Sequence, residues 1–190
     1  SFEDQQESFG DMGMLLILIL VLVYIVMAAQ FESLRYPFII MFSVPFAFVG
    51  LILSLFITGE TLNLMSLIGG VMLVGIVVKN GIVLVDYINL NRERGMGISQ
   101  AVISGGKSRL RPVLMTSATT ILGMVPMAMG IGEGSELWQP MGIAIVGGLT
   151  VSTLVTLVII PTVYCWFASR EVKSYRKKHS LHLSRRTVKE

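Results

Sequence analysis

Five long apolar stretches constrain the fold of this chain more than any other feature of its sequence. Each is close to or above the roughly 20 helical residues that cross a hydrocarbon core of about 30 Å. Only 14% of the 190 residues are charged, against about 25% in soluble globular domains. The sequence therefore predicts an all-α membrane protein, because backbone groups in lipid must pair within a helix. The five predicted transmembrane helices cover about residues 12–29, 38–58, 64–88, 112–131 and 141–167.

The apolar stretches divide the chain into three regions. A lead-in, residues 1–11, precedes the helical membrane domain, residues 12–167, and a basic tail covers residues 168–190. The lead-in is acidic, which argues against a cleaved signal peptide and favours a piece of a longer polypeptide. The tail is interpreted as a solvated anchor that contacts anionic membrane lipids.

The distribution of basic residues predicts the orientation in the membrane. Of the 15 Lys and Arg residues, one lies inside a predicted helix, and the others lie in the connections 31–37 and 89–111 and after residue 167. The connections 59–63 and 132–140 contain acidic charges only. The positive-inside rule then places the N-terminus of this segment in the periplasm and its C-terminus in the cytoplasm.

Lys79 is the basic residue inside a predicted helix, about 22 Å from the outer end of the third. Burying an ammonium group there costs at least about 2.5–3.5 kcal/mol on insertion scales. Lys79 is therefore a candidate functional residue, with a purely structural ion pair as the alternative. Asp86 lies two helical turns further on, about 10 Å along the axis and too far for direct contact. We expect the carboxylate partner of Lys79 outside this chain, and Asp86 as either a cap or a relay member.

Arg109 and Thr116 share one face of the fourth predicted helix, because two helical turns separate them. Pro112, between them, is expected in the first turn of that helix, where a missing N–H loses no bond. Thr116 alone would donate to a carbonyl of its preceding turn, and Arg109 alone would anchor the helix at the interface. Together they form a candidate cytoplasmic end of a proton path, and both interpretations stay open.

Other chemistry finds little support in the sequence. It contains no phosphate-binding loop, no nucleophile paired with a base and no zinc motif, which argues against ATP hydrolysis and against a membrane-embedded protease. Met124, Met127 and Met129 are interpreted as packing residues rather than a path for soft metals. No metal site, cofactor or nucleic-acid partner is predicted.

Four segments carry a family resemblance: 28–33 (AAQFES), 75–86 (GIVVKNGIVLVD), 109–117 (RLRPVLMTS) and 123–126 (GMVP). In this order and spacing they resemble the C-terminal membrane region of resistance–nodulation–cell division (RND) efflux transporters. Lys79-Asn80, where a carboxylate would be the alternative, is more similar to the hydrophobe and amphiphile branch than to the heavy-metal branch.

The resemblance implies that the chain supplies the last five helices in the second half of a pseudo-symmetric membrane domain. It also implies that Lys79 contacts a pair of aspartates in the missing N-terminal half of the same polypeptide. The proton-relay residues expected on this basis are Lys79, Asn80, Arg109 and Thr116, with Asp86 a weaker candidate.

The activity that the resemblance implies is substrate/H⁺ antiport of multidrug or amphiphilic compounds across the bacterial inner membrane. Such a protein is a secondary active transporter driven by the proton-motive force, with no cofactor. Its implied partners are two further copies in a homotrimer, a periplasmic adaptor and an outer-membrane channel. Two alternatives stay open: an RND-fold subunit that exports lipids or proteins, and a non-transporting membrane scaffold. The exported compounds do not follow from these residues.

Overall fold

The computed structural model describes the backbone over residues 2–187 and the side chains over residues 8–169. Within that part of the chain all regular structure is helical, which confirms the predicted all-α fold. The six helices are α1 Phe2–Phe31, α2 Arg35–Met41, α3 Val44–Thr58, α4 Leu64–Glu93, α5 Ile98–Ala128 and α6 Ser135–Thr187.

Four helical segments among the described residues are long and apolar enough to cross a membrane. They are Ser8–Phe31, Arg35–Thr58, Leu64–Glu93 and Ser135–Ser169. The second of them joins α2 and α3 across the bend at Phe42 and Ser43. α5 is 31 residues long but is less apolar, because basic residues occupy its first half and Ser and Thr interrupt its second half. Its crossing of the membrane stays a prediction.

The helices around the α4–α5 connection extend beyond the apolar stretches that predicted them. α4 continues to Glu93, and α5 begins at Ile98, so most of the predicted connection 89–111 is helical. Pro112 consequently lies inside α5 and not in its first turn, which makes that expectation wrong. Hydropathy predicts the apolar part of a helix. The helix itself can continue into polar sequence, as α4 and α5 do.

A capping box fixes the start of α4. The side chain of Asn63 accepts a hydrogen bond from the Ser66 backbone N–H at 2.9 Å, and the Ser66 hydroxyl accepts from the Asn63 N–H at 2.9 Å. These bonds satisfy two of the unpaired groups at the helix terminus.

Close helix packing places α6 against α3, α4 and α5. Small residues permit the approach, as is common between membrane helices. A Cβ atom on Gly147 would collide with Ser54, and one on Gly148 would collide with Leu73. Ser54 also donates a hydrogen bond from its hydroxyl to the Ile143 carbonyl of α6, at 3.1 Å.

α1 lies at the edge of this bundle. Only 6% of the most apolar part of α1 is buried in the bundle, compared with 56% for α4 and 50% for α6. Between Leu15 and Val26 the side chains that α1 leaves exposed are all aliphatic, and such a surface is compatible with lipid or with other apolar helices. In contrast to this part of α1, the helix α4 has charged residues on its exposed surface.

Candidate functional site

The central helix α4 has two faces of different composition. Its packed face is buried among the other helices and consists mainly of glycine and branched aliphatic residues: Gly69, Gly70, Leu73, Val74, Val77, Gly81, Leu84, Val85 and Ile88. Its open face, which we define as Met72, Gly75, Lys79 and Asp86, is exposed. The positions of the open face are spaced three, four and seven residues apart, so they form one lane along the helix.

Lys79 lies near the middle of α4 on the open face. Among the side chains that the structure describes, it forms no ion pair and no hydrogen bond. A Cβ atom added at Gly75, one turn earlier, would meet nothing within 4 Å. The open face is therefore unfilled at Gly75, one turn from Lys79.

Asp86 follows Lys79 two turns later and is also exposed. The two residues form no ion pair in the structure, in agreement with the separation of about 10 Å expected from the helical rise. Asn80 behaves differently, because only 7% of it is exposed. One residue is a rotation of about 100° around a helix, so Asn80 faces the packed side, away from the lane that contains Lys79 and Asp86.

Arg109 is held beside the same end of α4 by an aromatic ring. Its guanidinium carbon lies 4.6 Å from the ring centroid of Tyr87, which is a cation–π contact. Gly105, one turn earlier on α5, permits the approach, since a Cβ atom there would lie 2.7 Å from Ile88 of α4. The Arg109 Nε is buried and has no hydrogen-bond partner among the described residues.

Thr116 lies on the exposed side of α5, and its hydroxyl donates to the Pro112 carbonyl at 2.9 Å. The alternative interpretation of Thr116, a bond to its own preceding turn, therefore describes this hydroxyl in the structure. Thr119 and Thr120 donate to their preceding turns in the same way.

The antiparallel packing of α4 and α5 sets the depths of these residues. Arg109 contacts Tyr87, and from that level Thr116 is about 10 Å along α5 while Lys79 is about 12 Å along α4 in the same direction. Lys79 and Thr116 thus lie at similar depth, and Asp86 and Arg109 lie at a second depth about two turns away. The four residues form two polar levels on adjacent helices.

Sequence reasoning missed a buried hydroxyl pair between α5 and α6. Thr153 donates from its hydroxyl to that of Ser117 at 2.9 Å, and both residues are buried. Thr156, one turn after Thr153, has a buried hydroxyl without a partner among the described residues. The available signal was the presence of hydroxyl residues within two apolar stretches, but their pairing depends on the register between the helices.

Tyr87 was also missed, although it follows Asp86 directly. A tyrosine near the end of an apolar helix is common at membrane interfaces, so the sequence alone gave it no particular role. Among the described residues, no group of three or more His, Cys, Asp or Glu side chains could hold a metal ion.

A bundle of membrane-length helices defines a class of protein, the polytopic membrane proteins. The sequence profile of the AcrB/AcrD/AcrF family matches residues 1–168. The chain therefore belongs to this family of RND efflux transporters, and the predicted resemblance is confirmed. Members of the family are transporters and not enzymes, and the chain is a multi-pass segment of a membrane protein.

Individual relatives agree with the family assignment. The chain is 40% identical over 162 residues to the swarming motility protein SwrC of Bacillus subtilis (strain 168). The aligned region covers 85% of this chain and 15% of SwrC. It is also similar to two crystal forms of a heavy metal efflux pump. Form II gives a TM-score of 0.81 at 34% identity, covering 88% of this chain and 17% of the pump. Form I gives a TM-score of 0.73 at 35% identity, covering 86% of this chain and 16% of the pump.

Proposed function

We propose that this chain forms the proton-relay part of the membrane domain of a proton-driven efflux transporter. The observation that carries the proposal is the position of Lys79, exposed in the middle of a membrane-length helix and without an ion pair among the described residues. An ammonium group at that depth needs a carboxylate or a water-filled cavity. Lys79 is therefore proposed as the cationic half of an ion pair.

The carboxylate half is proposed to lie on another part of the same polypeptide. The chain spans 15% to 17% of the relatives that it matches, so most of a transporter of that length lies outside it. The open face of α4 is the surface that this remainder would cover. Two aspartates on a facing helix would neutralise Lys79 where Gly75 leaves space beside it.

The relay is proposed to work through the two polar levels of α4 and α5. Ionised aspartates hold Lys79 by opposite charge, which favours one packing of the helices. Protonating an aspartate weakens that attraction and releases Lys79 towards other polar groups, such as the hydroxyl of Thr116 at similar depth. Because packed helices have discrete arrangements, such a local charge change shifts whole helices.

The second level completes the path towards the cytoplasm in this proposal. Arg109 of α5 is fixed by Tyr87, the residue after Asp86 on α4, so a cation and a carboxylate lie at the same level near the helix end. Asn80, on the packed face, is proposed to hold the helices in register and not to transfer protons.

The remaining features of the transporter are proposals drawn from the family. α5 forms a fifth crossing, the N-terminus of the segment is periplasmic, and the segment belongs to the second of two pseudo-symmetric halves. The complete protein is proposed to act as a homotrimer with a periplasmic adaptor and an outer-membrane channel. The exported compounds are proposed to be organic amphiphiles, since Lys79-Asn80 is the pattern expected for that branch.

Heavy-metal export is a second candidate, favoured by the likeness to a heavy metal efflux pump at 34% identity. Methionines in and just after α5 would be the soft ligands available in this chain, and Met129, the residue after α5, is 65% exposed. The two candidates separate in a transport assay of the intact protein: an amphiphilic dye moves under a pH gradient in the first, and Cu⁺ or Zn²⁺ in the second.

Transport by the intact protein in proteoliposomes tests the relay. We expect Lys79→Ala to lower substrate-coupled proton flux by at least about tenfold, equivalent to 1.4 kcal/mol, at normal protein abundance. Lys107→Ala is the matched control, because it removes the same charge from an exposed position on α5 and should leave the flux near that of the wild type.

Flux by Lys79→Ala equal to that of the control would remove Lys79 from the relay. It would then favour the non-transporting interpretation of this residue, in which its charge only pairs helices. The pH-sensitive dye that reports the flux also separates a transporter from a scaffold, since a scaffold gives no flux in any variant.

A further inference from the structure

A small basic cavity lies at the end of the bundle where the α1–α2 turn, the end of α4 and the distal part of α6 meet. Its volume is about 160 Å³. The polar residues that line it are Ser33, Arg35, Tyr36, Arg92 and Tyr164, and the other lining residues are apolar. No carboxylate of the described part of the chain lines this cavity.

The cavity lies at the level where the apolar helices end. The membrane-length segments Ser8–Phe31 and Leu64–Glu93 finish beside it, and Arg35–Thr58 begins there. Lipid headgroups and the adjacent aqueous phase are found at this level of a membrane protein. A ligand in the cavity is therefore either a headgroup or a small solute from the water.

Two stacked tyrosines, one of them buried, lie beside Arg92 at the cavity. Tyr164 is 1% exposed, its hydroxyl donates to the Asn89 side chain, and it accepts a hydrogen bond from Arg92 Nη1 at 3.4 Å. The ring of Tyr36 stacks on that of Tyr164, with the centroids 5.8 Å apart and the planes 11° apart. Arginine has five N–H donors, so most of those of Arg92 remain available for a ligand.

The opposite wall supplies a second cation from a tight turn. Arg35 begins α2, and its backbone N–H donates to the Ser33 hydroxyl at 3.3 Å. The turn reverses at Glu32, which has a φ of 47°, a left-handed conformation that is unfavourable for a residue other than glycine. Because the chain turns here and α1 ends at Phe31, Ser33 and Arg35 line the cavity.

A neighbouring cavity shows that the absence of carboxylates is local. A larger space of about 480 Å³ shares Tyr36 and Arg92 but is also lined by Asp86 and Glu93. Arg92 therefore lies between an acidic space and a basic one, and among the described residues it pairs with no carboxylate. An anion is favoured in the smaller space alone.

We propose that the smaller cavity binds a phosphate group, supplied by an anionic lipid headgroup or by free phosphate. The guanidinium groups of arginine match the geometry of phosphate oxygens and form charge-assisted hydrogen bonds with them. Basic pockets between membrane helices bind anionic headgroups in the same way. A bound phosphate would join the α1–α2 turn to α4 and α6, and this role does not depend on proton transport through Lys79.

Lipid retention by the intact transporter tests the site. The purified protein is titrated with phosphatidylglycerol, and bound lipid is counted by native mass spectrometry. We expect Arg92→Gln to weaken binding about tenfold, as loss of a hydrogen bond to a charged group does. Arg94→Gln is the matched control, since this exposed residue follows the same helix end but does not line the cavity.

Arg35→Gln supplies a second variant, because Arg35 is exposed and its replacement leaves the packed residues in place. It should also weaken binding relative to Arg94→Gln, and it decides the question if Arg92→Gln does not fold. Inorganic phosphate, followed by ³¹P NMR line broadening, forms the other arm. Arginine-dependent binding of lipid alone or of inorganic phosphate identifies the source of the phosphate group. Equal binding of both probes by all three variants would overturn the proposal.

Discussion

The packed and open faces of α4 belong to one 30-residue helix, yet they use the same residue type for opposite purposes. On the packed face Gly81 lets neighbouring side chains approach, and a Cβ atom there would lie 2.8 Å from Ile40 and 3.1 Å from Ile160. On the open face Gly75 meets nothing within 4 Å. The first glycine is explained by contacts within this chain. The second has no such contact within this chain and leaves room for another segment beside Lys79.

The comparison also separates the energetic roles of the two faces. Packing among glycine and aliphatic residues stabilises the bundle through close contact, which membrane helices rely on because lipid supplies little hydrophobic driving force between them. A charged residue contributes nothing to such packing and is unfavourable to insert. The exposed lane with Lys79 and Asp86 is therefore better explained by function than by the stability of these helices.

The largest expected effect comes from filling the two glycines in parallel. Gly81→Val should destabilise the intact transporter by about 1–3 kcal/mol, the usual cost of overpacking, because Ile40 and Ile160 already occupy the space. Gly75→Val should cost much less. Denaturant-induced loss of helix packing in detergent micelles measures both variants. Equal losses would break the distinction between the faces and show that the rest of the protein packs as tightly on the open one.

A smaller effect is expected at the edge of the open face. Arg109→Leu should slow transport about tenfold, or 1.4 kcal/mol, without lowering protein abundance, because the guanidinium group at the level of Asp86 is lost. Tyr87→Phe keeps the ring under Arg109 and should retain most of the activity. Arg111→Leu is the control, since Arg111 is exposed two residues further on. Equal rates for Arg109→Leu and its control would reduce Arg109 to an interfacial anchor.

The smallest effect concerns a polar contact on the packed side of the bundle. A double-mutant cycle of Ser117→Ala and Thr153→Val should give a coupling of about 0.6 kcal/mol, the average for interhelical hydrogen bonds in membranes. Unfolding of the intact transporter in mixed micelles gives the four free energies. A coupling near zero would mean that each hydroxyl finds another partner when its neighbour is removed.

Much of the helical architecture could be predicted from the sequence, because long apolar stretches leave few alternatives in a membrane. Helix limits were less accessible. α5 begins at Ile98, well before its apolar stretch, since the residues around Lys107 are polar but compatible with a helix. The expected position of Pro112 in the first turn was wrong for the same reason, because a proline marks the start of a helix only when no helical residues precede it.

For the candidate site, the spacing of residues along one helix could be predicted, whereas contacts between helices could not. Helical spacing placed Lys79 and Asp86 on one face, and the structure agrees. The family resemblance also placed Asn80 in the relay, whereas one residue of rotation turns Asn80 into the packed side. The contact of Arg109 with Tyr87 could not be derived, because the register between two helices depends on their packing and not on either sequence alone.

The pairing of Lys79 with a carboxylate from another segment is the claim on which the rest depends. A membrane-permeant carbodiimide joins an amine and a carboxylate in contact through an amide bond, and mass spectrometry of the digested transporter identifies the pair. We expect Lys79 to be joined to an aspartate outside the 190 residues of this chain, and the linked peptide to disappear in Lys79→Ala. A Lys79 that links to no carboxylate, or only to Asp86, would contradict the claim.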